Sequence, residues 1–110
     1  MKTIIVPTDA DAAGRLDRGE DREGDLIEVR LTAEAFDRLF ASGWVRSVNG
    51  AVGCNIDDFE DEHVSDPASL DTVADITRRM IDEDGGEPFP QIAALADEAK
   101  KRGTGLHFYF

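Results

Sequence analysis

The sequence predicts an α+β fold: a small, mainly antiparallel sheet with about three helices packed on one face. Three observations lead there. β-Branched or alternating segments stand near both ends of the chain, KTIIV (2–6) and TGLHFYF (104–110). Two long stretches, from Pro67 and from Pro88, repeat apolar residues at helical spacing. The chain has 110 residues, 41% of them hydrophobic, which suffices for one core and not two. Residues 1–110 are therefore read as a single α+β domain.

KTIIV is short and β-branched, a strand stopped by Pro7. Residues 7–24 show no apolar periodicity and are rich in Asp, Arg, Gly and Ala, so a long acidic loop is expected, functional, mobile or ordered by a ligand. LIEVRL (26–31) reads as a second strand. Thr32 suits an N-cap for the helix AEAFDRLFAS, with Leu31 and Phe36 placed as a hydrophobic staple and Gly43 as the stop. Asn49-Gly50 signals a turn, and AVGCNI (51–56) a strand that carries the following acidic run on its end. Asp66-Pro67 opens the next helix, with Leu70, Val73, Ile76 (or Thr77), Met80 and Ile81 inward and Gly85-Gly86 as its stop. The last helix runs from about Pro88 to Arg102, buries Ile92, Leu95, Ala96 and Ala99, and ends at Gly103. In the closing strand Leu106, Phe108 and Phe110 share one face; His107 and Tyr109 share the other.

The formal net charge is −12. It repels duplex nucleic acid and anionic membranes and attracts cationic partners. No apolar run approaches a membrane span or a secretory core, and a single cysteine excludes an internal disulfide, so a cytoplasmic protein is expected. The acidity is uneven. Residues 55–99 carry fourteen acids against only Arg78 and Arg79.

The densest stretch is NIDDFEDEHVSD (55–66). It holds Asp57, Asp58, Glu60, Asp61, Glu62 and Asp66 with His63, and no Lys or Arg. Carboxylates this crowded repel one another, and a basic partner relieves that repulsion on binding. Trp44, Phe59 and Tyr109 are the candidate aromatic anchors for such a partner.

Other chemistries read less well. Residues 9–20, DADAAGRLDRGE, place Asp9, Asp11, Asp17 and Glu20 at calcium-loop positions, but Ala13 stands where a ligand belongs and a strand precedes them. Cys54 with His63 or His107 makes a nucleophilic pair only on paper, since Cys54 lies in a small, apolar segment. One cysteine and two histidines 44 residues apart give no zinc-ligand spacing. No metal, cofactor or catalytic residue is assigned.

From Leu31 onward, LTAEAFDRLFASG, VNGAVGCNIDDFEDEHV and the terminal GTGLHFYF after a basic helix end resemble small immunity proteins of bacterial toxin systems. The resemblance implies a short cytoplasmic protein that is not an enzyme and blocks a cognate toxin, often a basic nuclease. It transfers no individual binding residue. Charge and resemblance together give the expected function: an inhibitor that neutralises a basic toxin, with no direct contact to nucleic acid or membrane. The alternatives are an anti-CRISPR or other DNA mimic, and a calcium- or magnesium-dependent regulator or small hydrolase using residues 9–20 or 57–62.

Overall fold

The computed structural model describes residues 2–83 and 86–110. Its elements, in chain order, are β1 (Thr3–Pro7), α1 (Ala10–Asp17), β2 (Leu26–Arg30), α2 (Ala33–Ala41), α3 (Trp44–Val52), β3 (Asp61–Val64), α4 (Pro67–Glu83), α5 (Phe89–Arg102) and β4 (Leu106–Tyr109). The fold is α+β, as expected. The four strands form one antiparallel sheet in the order β2-β1-β4-β3. Its central strand β1 comes from the start of the chain and pairs with β4 from the end, Ile4 opposite Phe108 and Ile5 opposite His107.

Register sorts the side chains. Ile4 and Val6 share a face with Leu106 and Phe108, and this face carries the main core with Leu39, Trp44, Val48, Leu70, Val73, Phe89 and Ile92 from α2–α5. Ile5 and His107 point to the other face, with His63 opposite His107 on β3. The α4–α5 pair is the largest helix contact. Its apolar residues fall where the periodicity put them, Leu70, Val73 and Ile76 on α4 and Ile92, Leu95, Ala96 and Ala99 on α5. Asp66 caps α4 by accepting from the Ser69 amide at 3.0 Å, and Thr32 caps α2 by accepting from the Ala35 amide at 3.1 Å. Gly103 ends α5 in the left-handed region, φ 69°. Of the expected Gly85-Gly86 stop, Gly85 lies outside the described residues.

Three expectations are corrected. There are five helices among the described residues, where about three were expected. Residues 7–24 are not one long loop: α1 occupies Ala10–Asp17. Asp9 caps it from an extended conformation, accepting from the Ala12 amide at 2.8 Å, and Ala12 is its only fully buried residue. A helix that buries one alanine leaves no apolar stripe for periodicity to find. It also packs beside β1 apart from the main core, so the helices are not confined to one face. Finally, AVGCNI is not a strand. Trp44, Val45, Val48 and Val52 keep helical spacing through the Asn49-Gly50 pair, and α3 runs on to Gly53, a left-handed cap at φ 71°. Strand β3 instead begins inside the acidic run, at Asp61. No helix among the described residues is long and apolar enough to cross a membrane.

Candidate functional site

The acidic turn at residues 57–60 is built from α3. Asn49, in that helix's last turn, accepts the Ile56 amide at 2.8 Å and donates to the Ile56 carbonyl at 3.0 Å. This mimics a strand pairing and pins buried Ile56 beneath the turn. On the far side the Phe110 amide donates to the Glu60 carbonyl at 3.3 Å. Between these two anchors the Glu60 amide reaches back to the Asp57 carbonyl, and Phe59 takes φ 63°. A bulky residue rarely adopts that region, at a cost on the order of 1–3 kcal/mol. The ring is also 88% exposed, the only large hydrophobic side chain so exposed among the described residues.

One cation already attends this turn. Lys2 pairs with Asp58, donates to the Phe110 carbonyl, and places its ammonium 4.4 Å from the centre of the Phe59 ring and 5.0 Å from that of Phe36. The ammonium over an aromatic face beside a carboxylate is a cation–π contact joined to an ion pair.

The six carboxylates of the run have different occupations. Asp57 accepts from the Asp58 amide at 2.8 Å, and Asp58 holds Lys2. Glu62 turns inward and accepts from the amides of Asn55 and His63, each at 2.8 Å, which holds its carboxyl below the usual carboxylate range. Asp66 caps α4. Glu60 and Asp61 are exposed and accept no side-chain hydrogen bond among the described residues. Much of the crowding read as unsatisfied charge is thus local structure-making, and the carboxylates that face outward around Phe59 are Asp57 and Glu60, with half-buried Asp58 behind them.

The expected anchors separate. Trp44 is fully buried and is corrected to a core residue: its indole N–H donates to Thr77 Oγ1 at 2.9 Å, and Thr77 in turn donates to the Val73 carbonyl at 2.6 Å. Tyr109 is half-buried opposite Asp61, on the α1 side of the sheet with His63. Its hydroxyl is pushed above its ordinary pKa by burial and by the charges of Asp61, Asp17 and Asp21. Cys54 is half-buried and bonds Asn49 Oδ1 at 3.2 Å; burial, then the Glu62 charge, push its thiol up, away from the nucleophilic thiolate.

The calcium-loop alternative loses its geometry to α1. Asp9 is the cap, and Asp11 and Asp17 stand six residues apart on a helix, displaced by roughly 9 Å along its axis. Glu20 pairs with Arg18. Among the described residues, no group of three or more His, Cys, Asp or Glu side chains is gathered to hold a metal ion.

Sequence reasoning weighed His107 only as a partner for Cys54 and as one of two histidines too far apart for zinc, and set both aside. The sheet sets it directly opposite His63 with ring centres 5.4 Å apart, and stacks it on Tyr109 at 6.3 Å. These rings, with Asp61 and with Leu16 and Asp17 of α1, line an open cavity of about 230 Å³. The alternation of TGLHFYF put His107 and Tyr109 on one face, but nothing in the sequence placed His63 beside them. Compared with protein-family models, with curated proteins and with solved structures, the chain matches none.

Proposed function

We propose that this protein is a non-enzymatic inhibitor that docks a basic protein, a toxin nuclease by preference, on the turn at residues 57–60. One observation carries the reading: Phe59, exposed and held at a strained backbone angle, projects between Asp57, Asp58 and Glu60. Strain and exposure both cost stability in the free molecule, and a contact made on the ring is what offsets them. The field of a chain at −12 draws a cationic surface toward the turn, and Asp57 and Glu60 meet the partner's Lys and Arg where substrate phosphates would otherwise sit. Occlusion follows from size, with no bond made or broken.

The test starts with the basic protein retained by this chain from its native host, including any nuclease whose cutting the chain suppresses. Reversal of Asp57, Asp58, Glu60 and Asp61 to Lys is expected to slow association roughly tenfold or more at low salt. Phe59→Ala is expected to speed dissociation, with the circular dichroism of both variants unchanged. An association rate indifferent to the fourfold reversal overturns the assignment. A partner that proves to be a nucleic-acid-guided effector in place of a toxin keeps the surface and moves the protein to the class of DNA mimics.

A further inference from the structure

On the α1 side of the sheet, strand pairing joins two imidazoles that the chain holds 44 residues apart. An antiparallel ladder alternates hydrogen-bonded pairs with pairs that are not, and side chains of the latter approach more closely. The Phe110 amide bonds the Glu60 carbonyl, so hydrogen-bonded pairs recur two residues on, at Glu62 and Phe108. His63 opposite His107 is then a close pair. The His63 amide accordingly points away from β4 and is taken by Glu62 Oε1.

The ring centres are 5.4 Å apart. Two imidazoles bound to one tetrahedral zinc, each nitrogen about 2.0–2.1 Å from the metal, hold their ring centres about 5 Å apart. The rings are 16° from parallel, so chelation requires both to turn about their side-chain bonds until a nitrogen of each faces one point. His63 is exposed and free to turn, and the cavity between β3–β4 and α1 leaves room for water on the open side. Asp17, in the last turn of α1, lines that cavity and directs negative charge toward His107.

We propose that His63 and His107 form a two-imidazole chelate for a borderline divalent transition ion, zinc foremost, with water completing the coordination and Asp17 contributing charge from α1. Imidazole nitrogen selects Zn²⁺, Cu²⁺ and Ni²⁺ over Mg²⁺ and Ca²⁺, which take oxygen. The ion would clip edge strand β3 to β4. The unfolded chain lacks that pairing, so binding stabilises the native state by mass action.

The experiment titrates the full chain with zinc sulfate at neutral pH, in excess Mg²⁺ to occupy surface carboxylates. Heat of binding, thermal shift and histidine NMR resonances are read. The expected result is one zinc per chain, a raised Tm, and selective shifts of His63 and His107. His63→Ala, at an exposed position that the fold does not need, abolishes all three; Asp17→Asn lowers affinity about tenfold. Zinc binding of equal strength in His63→Ala, shifts confined to carboxylate-bearing residues, or no binding by the native chain overturns the proposal.

Discussion

Asp25 shows how much one side chain can organise in this molecule. Arg15 of α1 grips it through two hydrogen bonds of 2.7 Å, and the Arg22 amide adds a third at 2.9 Å. Arg15 first, and then Arg22, hold the carboxyl down from 3.8 to about 2. Since the folded value is depressed, the stabilisation is complete above the unfolded pKa and is lost as pH falls through the folded one. Asp25→Asn is therefore expected to lower the urea midpoint at neutral pH, and the gap from the native chain should close between about pH 4 and pH 2. A gap that stays constant over that window would assign the loss to packing and not to charge. The two large aromatics divide the same way between structure and function. Thr77→Val strands the buried Trp44 N–H and should cost about 1–3 kcal/mol. Phe59→Ala removes an exposed ring and should lower stability by no more than about 1 kcal/mol, since alanine keeps the strained φ and only the Lys2 contact is lost. Urea unfolding of the two variants side by side checks both, and a large loss in Phe59→Ala would make that ring structural.

At the scale of elements, α1 repays a direct perturbation. Its register depends on one cap, since Asp9 accepts the Ala12 amide and only Ala12 is fully buried. Asp9→Ala should cost about 1 kcal/mol. The loss should appear first as faster hydrogen exchange in residues 10–17, ahead of any change in α4 or α5, because α1 packs beside β1 outside the main core. Uniformly faster exchange would instead mean that α1 unfolds only with the whole molecule. The same thinness explains why α1 escaped the sequence reading while α2, α4 and α5 did not. Those helices carry apolar stripes and recognisable caps at Thr32 and Asp66, and the starts of all three and the ends of α2 and α5 lie close to where those signals put them. α3 failed for another reason. Asn49-Gly50 is strong turn chemistry, but Trp44, Val45 and Val48 bury enough surface to carry the helix through it. Once α3 replaced the strand, Asn49 became legible as the bracket that pins Ile56. The acidic turn was visible as composition. Which carboxylates face outward depends on hydrogen bonds to Lys2, Asn55 and Ser69, distant contacts or local ones that composition does not reveal. His107 and His63 needed the pairing of β3 with β4 before they could be seen as neighbours.

For the whole molecule the governing quantity is a net charge of −12 on 110 residues. Like charges at this density destabilise the compact state, and salt screens them over a Debye length of roughly 10 Å at 0.1 M. Against this stand surface ion pairs such as Lys100–Asp71 and Arg102–Glu98, which salt weakens; exposed pairs contribute no more than about 1 kcal/mol each. Repulsion is summed over the whole surface and the pairs are few, so added sodium chloride should raise the melting temperature of the free chain. Each kcal/mol regained is worth about 4–8 °C for a domain near this size. A complex with a basic partner must respond in the opposite sense, because the same screening removes the attraction that brings the surfaces together. Salt therefore separates folding from docking in one pair of measurements: calorimetric melting of the free chain, and association kinetics of the complex, over the same range of ionic strength. Melting that rises while association slows agrees with an acidic surface that strains the free protein and serves the bound one. An association rate that holds steady as salt rises would leave Phe59 and the apolar contacts as the sole basis of recognition, and the carboxylates around it as solvated surface.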